Sequence, residues 1–146
     1  MLSSMDEHEV AAAVLAGPDA IIAADAEGVI TYWNAGAERI FGYSAAEARG
    51  ASLDLIIPER LRERHWQGWH RVMQSGRSRY GADDLLSVPG RRRDGTPLSV
   101  EFTIHPVRDR DGALRGIAAT LRDVTTRFNE TRELRKELAA LRSAGR

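Results

Sequence analysis

The residue best placed for chemistry is a histidine on the apolar side of a predicted helix. Residues 58–74 form the longest predicted helix inside the chain, beginning at a proline and ending before a Ser-Gly pair. At about 100° per residue, His65 shares a narrow arc with Leu61, Gly68, Trp69 and Val72. Burying an unpaired imidazole nitrogen costs on the order of 1–3 kcal/mol, so His65 needs a partner. That partner is a backbone carbonyl, a small ligand or a metal.

The remaining composition excludes most other kinds of site. The chain contains no cysteine, which excludes disulfides, thiolate metal sites and cysteine nucleophiles. His65 and His70 point in different directions and do not form a helical metal pair, while His8 and His105 are predicted to be surface or structural residues. There is no Ser-His-Asp arrangement and no glycine-rich phosphate loop. We therefore expect that the chain is not an enzyme.

Two other clusters receive structural interpretations. Trp66 and Trp69 offer surfaces on which a flavin or nucleobase stacks, but aromatic residues on a helix more often belong to a core or an interface. The three arginines at residues 91–93 stand beside a predicted turn without flanking aromatics, which indicates a solvated hairpin tip. Lys plus Arg equals Asp plus Glu at 21 each, so no global field attracts nucleic acid or an anionic membrane. Neither is predicted as a partner.

The elements that position these residues follow from periodicity and turn signals. Residues 20–24 and 29–33 predict a strand hairpin, Asn34 predicts the cap of a helix that ends at Gly42, and residues 44–47 predict a capping box. Three further strands are predicted after the long helix, at residues 82–91, 97–107 and 113–124. The predicted fold class is α+β: a five-stranded antiparallel sheet with helices on one face, flanked by N- and C-terminal helices.

The chain length sets the predicted domain organisation. Its 146 residues suffice for one domain and a short extension. We assign residues 1–17 to an N-terminal helical cap, residues 18–125 to the domain and residues 126–146 to a C-terminal signalling or coiled-coil helix. The first residues lack a basic leader and no apolar run is long enough to span a bilayer, so the predicted location is cytoplasmic.

Six stretches of the sequence, taken in order, resemble the PAS family of sensory domains. They are residues 19–22, 28–30, 32–43, 47–50, 92–96 and 116–125. This resemblance implies the PAS fold and a role in signal transduction. PAS domains bind heme, flavins or small metabolites, or they only dimerise, so the ligand has to be argued from the pocket.

A narrower resemblance concerns the long helix. Residues 58–65 are similar to the corresponding helix in heme-binding PAS domains of bacterial oxygen-sensor kinases and heme-regulated phosphodiesterases, in which a histidine seven residues after the proline ligates the iron. The resemblance implies that His65 binds the iron of heme b and that Gly68 leaves room for the macrocycle. Where those families have an arginine, this chain has Leu86. The cofactor-binding residues are then Leu61, His65, Gly68, Trp69, Val72, Leu86, Val88, Phe102, Ile104, Ala119 and Leu121.

The C-terminal segment predicts how a signal leaves the domain. Apolar spacing of four and three gives a coiled-coil seam at residues 124, 127, 131, 134, 138 and 141. With the N-terminal helix, this seam predicts a homodimer that acts on a partner effector or kinase. A C-terminal helix docked on its own sheet is the alternative for this segment. For the whole chain, the alternative is a PAS domain that binds no ligand or a small metabolite and serves dimerisation and signal relay.

Overall fold

The computed structural model describes residues 4–77 and 85–145, which form one sheet and the helices around it. The strands are β1 (Ala20–Asp25), β2 (Ile30–Trp33), β3 (Leu86–Arg91), β4 (Pro97–Arg108) and β5 (Leu114–Asp123). The helices are α1 (Glu7–Leu15), α2 (Ala35–Phe41), α3 (Ala45–Ala48), α4 (Glu59–Ser75) and α5 (Thr125–Ala144), with a 3-10 helix (Leu53–Ile56) before α4.

The five strands pair in the order β2-β1-β5-β4-β3, and every neighbouring pair is antiparallel. One face is buried: Ile22, Val100 and Leu121 are at most 7% exposed, whereas His105 and Arg122 on the other face are exposed. Helices α2 and α3 pack beside β1 and β2. The predicted α+β class, with its five-stranded antiparallel sheet and its helix at each end, is confirmed.

Asn34 ties the N-terminal part of the fold together. Its Oδ1 accepts hydrogen bonds from the backbone N–H of Ala37 at 2.9 Å, as predicted for a helix cap, and from that of Ile21 at 2.8 Å. Its Nδ2 donates to the carbonyl oxygens of Leu15 and Asp19 at 3.0 and 2.9 Å. The amide is buried and all four of its interactions are made inside the protein, which links α1, β1 and α2.

The element boundaries differ from the predictions at a few ends. Strand β3 begins at Leu86, and the predicted strand residues 82–84 lie outside the described part of the chain. Strand β4 extends one residue beyond its predicted end, to Arg108, and α5 spans Thr125–Ala144 within the C-terminal segment assigned to a helix. The capping box is present in full, because Ser44 Oγ accepts from the N–H of Glu47 and the Glu47 carboxylate accepts from the N–H of Ser44.

Candidate ligand-binding site

Helix α4 turns the predicted face inward. Trp69 is buried at 8% exposure, and Leu61, His65, Gly68 and Val72 are half-buried. The opposite side of the helix is exposed at every position: Arg60, Glu63, Arg64, Gln67, Arg71 and Gln74. The sequence reasoning left out the half-buried residues beside this arc, which are Arg62, Trp66 and Met73. These residues were left out because the arc obtained at 100° per residue is narrower than the face that a helix buries when its end packs against a turn.

His65 has a buried nitrogen that finds no partner in the part of the chain that the structure describes. Its Nδ1 makes no hydrogen bond among the described residues. Its ring lies edge-on to Trp66, with centroids 4.6 Å apart at 78°, and 5.8 Å from the Trp69 ring at 36°. Burial lowers the pKa of His65, and the negative charge of Asp54 offsets this only in part. The lowered pKa favours the neutral imidazole, which is the form that has a lone pair for a ligand.

The two tryptophans are anchored to different elements. Trp69 Nε1 donates to the Ala26 carbonyl at 2.8 Å, in the turn between β1 and β2, and Trp66 Nε1 donates to Asp54 Oδ1 at 2.7 Å, in the 3-10 helix. A Cβ atom on Gly28 would lie 2.2 Å from the Trp66 ring, so the indole rests directly on the glycine backbone. Both side chains therefore belong to the packed structure, as the core interpretation predicted. Asp54 was missed, because no sequence signal pairs residues twelve positions apart.

The predicted strand residues share the buried face of the sheet. Leu86 pairs with Phe102, which pairs with Leu121, and Ile104 pairs with Ala119 in the next row. Directly paired residues of an antiparallel sheet lie on one face. The outlying member is Val88, which is 42% exposed on the edge strand β3.

Part of this strand set meets the helix. Trp69 and Leu121 belong to one buried core, against which Val72, Phe102, Ile104 and Ala119 pack. The C-terminal half of the inward α4 face, at Trp69 and Val72, therefore packs against the sheet. The space beside Gly68 is open, since a Cβ atom there would meet nothing within 4 Å.

Two surface grooves lie elsewhere. One of about 420 Å³ lies between α5 and the outer sheet face, where Glu101, Arg127 and Phe128 line it. Another of about 250 Å³ includes Thr103 and Thr120.

No group of three His, Cys, Asp or Glu side chains that could hold a metal occurs in residues 4–77 and 85–145. His105 lies on the outer face between these threonines, within 3.4 Å of both hydroxyls.

The arginine run is tied down more firmly than a solvated hairpin tip. Arg92 Nη2 donates to Asp123 Oδ2 at 2.8 Å, and Arg93 Nη1 donates to Glu47 Oε1 at 2.8 Å. The Arg93 backbone N–H donates to the Phe41 carbonyl at 2.8 Å. The tip therefore joins the sheet end to α2 and α3, and the sequence prediction overlooked the acids that pair with it.

A hydrogen-bonded junction connects the sheet to α5. Asp123 accepts from Arg92, from the Thr125 backbone N–H at 2.9 Å and from the Thr125 hydroxyl. Thr125 Oγ1 in turn accepts from the Ser99 N–H of β4 at 3.0 Å. Partial burial raises the pKa of Asp123, but the hydrogen bonds from Thr125 and the Arg92 charge outweigh it, so the net pKa lies below the usual value.

Beyond this junction, α5 leaves the domain. Residues 126–145 are all exposed, and Leu134, Leu138 and Leu141 are between 48% and 70% exposed. The first turns of α5 contact β4, and this exposure does not fit a helix docked along its own sheet over its whole length. Among the helices that the structure describes, none combines the length and hydropathy required to cross a bilayer.

Known proteins share sequence features with this chain. The family model described as the PAS fold matches residues 15–128. The sensor protein FixL of Bradyrhizobium diazoefficiens is 34% identical over 87 residues, which are 60% of this chain and 17% of that protein. An uncharacterized protein of Azorhizobium caulinodans is 33% identical over 119 residues, which are 81% of this chain and 16% of that one. The chain thus spans about a sixth of the length of these relatives.

A solved structure shows the same fold. The crystal structure of a PAS domain from Colwellia psychrerythraea has a TM-score of 0.70 and 21% sequence identity. The match covers 83% of this chain and 99% of that one. At this identity the similarity concerns the fold and leaves the ligand to the residues described above.

Proposed function

The chain belongs to the PAS family, and we propose that this sensory domain binds heme b through His65 and responds to a diatomic gas or to redox state. The role is sensing rather than catalysis. We also propose that the signal reaches an effector or kinase partner, which the resemblance of residues 58–65 to oxygen-sensor kinases supports.

The observation that carries the proposal is the unpartnered Nδ1 of His65. A buried imidazole nitrogen without a hydrogen bond costs on the order of 1–3 kcal/mol, and a ligand that binds Nδ1 itself would remove this cost. The lowered pKa favours the neutral ring, which is the form that binds a metal.

The other residues of the site fit a heme group. A porphyrin supplies four nitrogen ligands, so the protein needs to contribute one axial side chain rather than a cluster of three. The open space beside Gly68, near His65 on α4, suits a flat group against the helix. The Leu86, Phe102 and Leu121 row and the Ile104–Ala119 pair would form an apolar wall that excludes water.

The wall also limits what such a site would sense. Heme iron, when bound, supplies a coordination position for a gas and a centre that changes oxidation state. The five wall residues carry no side-chain hydrogen-bond donor. We therefore expect them to favour gases that need no donor over oxygen stabilised by a hydrogen bond.

The route for the signal runs along β5. Leu121 lies on the buried face of the sheet, and Asp123, two residues later, holds the first turn of α5 through Thr125. A ligand that displaces the row Leu86, Phe102 and Leu121 would thus change the hydrogen bonds at the start of the exposed helix α5.

Hemin titration of the ligand-free protein tests this function. We expect a sharp heme band in the visible spectrum of the wild type and its loss or marked weakening in His65→Ala. His70→Ala is the matched control, because His70 is an exposed histidine of the same helix. Identical spectra for the wild type and His65→Ala, or no band in either, would contradict heme binding through His65.

A second candidate function is dimerisation and signal relay with no ligand or with a small metabolite. The observation that favours it is the row of exposed leucines on α5. This function predicts a colourless dimer whose association weakens when residues 126–146 are deleted. A monomer that the deletion leaves unchanged would count against it.

A further inference from the structure

We propose that Asp54 is a positioning residue for His65 and acts through the indole of Trp66. The inference deepens the proposed function and rests on it, because the orientation of the imidazole matters there as that of an axial ligand. The chain of contacts runs from the Asp54 carboxylate to Trp66 Nε1 at 2.7 Å, and from the Trp66 ring to the His65 ring at 4.6 Å between centroids.

The first step is that His65 lacks the usual means of fixing its ring. A metal-binding histidine normally donates its second N–H to a carbonyl or a carboxylate, which holds the ring in one orientation. No hydrogen bond to a described residue fixes the ring of His65 through its buried Nδ1. The orientation of the imidazole therefore depends on the aromatic rings that enclose it, Trp66 edge-on and Trp69 at 36°.

The second step is that Trp66 is confined on one side and hydrogen-bonded at its tip. Its six-membered ring occupies the space where a side chain on Gly28 would stand. The bond from Nε1 to Asp54 fixes the remaining freedom, which is rotation of the indole about its side-chain bonds. Without this bond the indole still fills the gap, but its edge no longer meets His65 at a defined angle.

The third step is that Asp54 lies on a segment that α4 itself fixes. Arg62 Nη2 donates to the Asp54 carbonyl at 3.2 Å, and Arg62 Nε donates to the Ile57 carbonyl at 3.0 Å. The Asp54 backbone N–H donates to Ser52 Oγ at 3.1 Å. The 3-10 helix and α4 thus form one unit, and the carboxylate has a fixed position relative to His65.

Four variants test the inference in the ligand-free protein, where heme is not needed. Asp54→Leu removes the acceptor, Trp66→Phe removes the donor but keeps a ring, and Asp54→Asn keeps an oxygen that accepts from Nε1. Glu63→Gln is the control, an exposed carboxylate on α4. The spectra are recorded at a pH where the His65 ring is neutral in every variant, because the Asp54 charge also acts on its protonation. We then expect the His65 imidazole proton resonances to move in Asp54→Leu and Trp66→Phe, and to stay near the wild-type positions in Asp54→Asn and Glu63→Gln. Thermal unfolding of each variant establishes that it is folded.

Hemin titration of the same variants gives the second readout. Loss of a residue that holds a metal ligand in its orientation lowers metal affinity about 10- to 100-fold. We expect hemin affinity to fall by this factor in Asp54→Leu but not in Asp54→Asn. If wild-type protein binds no hemin while the resonances still move as expected, the proposed function fails and the positioning role stands. If folded Asp54→Leu keeps the wild-type resonances, or if Asp54→Asn moves them equally, the positioning role is overturned whether or not hemin binds.

Discussion

A methyl group at residue 28 has no room, and this makes Gly28→Ala a test of how firmly Trp66 is held. The new Cβ would lie 2.2 Å from the indole, in addition to the strain of φ +80°. Gly50 is the matched control, since its φ is +85° and a Cβ atom there would meet nothing within 4 Å. We expect both substitutions to cost about 1 kcal/mol from backbone strain, and Gly28→Ala to cost a further ~1–3 kcal/mol from overpacking.

Chemical denaturation measures this difference, and near-ultraviolet circular dichroism reports whether the tryptophan environment changes. Equal losses of unfolding free energy in Gly28→Ala and Gly50→Ala would mean that the indole moves aside freely. That outcome would contradict a fixed Trp66.

At the residue scale, the direction of a side chain was predictable and its contacts were not. The inward position of His65 follows from helical periodicity, which depends only on sequence spacing. The contact of Asp54 with Trp66 depends on how the 3-10 helix docks against α4, and the tight packing of Trp66 on Gly28 depends on the path of the turn between β1 and β2. These are tertiary facts without a local sequence signal.

Among the elements, the junction between β5 and α5 gives a prediction about pH. The folded-state pKa of Asp123 lies below its unfolded value of about 3.9, because hydrogen bonds from Thr125 and Arg92 outweigh the effect of burial. A depressed carboxyl pKa contributes stability that is present above the unfolded pKa and is lost as pH falls through the folded one. We therefore expect wild type to be more stable than Asp123→Asn near neutral pH, with the gap closing in acid.

Unfolding free energies of the two proteins across this pH range measure the effect. Thr125→Val removes one hydrogen bond to the Asp123 carboxylate, so in its presence Asp123→Asn should lower the unfolding free energy by less. Thr126→Val, at the neighbouring exposed threonine, should leave the effect of Asp123→Asn unchanged. A gap between wild type and Asp123→Asn that persists unchanged below the unfolded pKa would show that the charge of Asp123 does not stabilise the junction.

Helices whose ends carry a capping residue or a glycine with positive φ were predicted best. Asn34, Ser44 and Gly42 each define a helix end through a local hydrogen bond or a positive φ, and all three lie where the sequence placed them. The arginines after β3 were judged from their own run alone, so their acid partners Asp123 and Glu47, far away in sequence, were missed. Local chemistry fixes where an element ends, while pairing across the sheet requires the fold.

At the scale of the whole molecule, both terminal helices leave from one end of the sheet. The start of β1 and the end of β5 meet there through an ion pair between Asp19 and Arg122, and Glu101 of the paired strand β4 binds Arg127 at the start of α5. Helices α1 and α5 contain no buried residue. The domain therefore exposes two helices that start at the same end of the sheet, which suits association with a second copy.

The seam of α5 gives the prediction for the assembled state. A helix of 20 residues is about 30 Å long and marginally stable alone, so its exposed leucines are expected to pair with those of a second copy. Replacing Leu134, Leu138 and Leu141 with Gln should lower the mass measured by light scattering from dimer to monomer and reduce helical circular dichroism. Three Gln substitutions at Ala139, Ala140 and Ser143, away from the seam, form the control and should preserve the dimer.

The fraction of protein that dimerises through α5 is expected to depend on protein concentration. The seam is short and carries Arg127 and Thr131 among its leucines, so the association is expected to be weak and to strengthen with concentration. A wild type that stays monomeric over the whole concentration range, or a leucine variant that dimerises as well as wild type, would contradict pairing through α5. A dimer that survives the leucine substitutions would instead have to use α1 or the outer face of the sheet, where His105 is exposed.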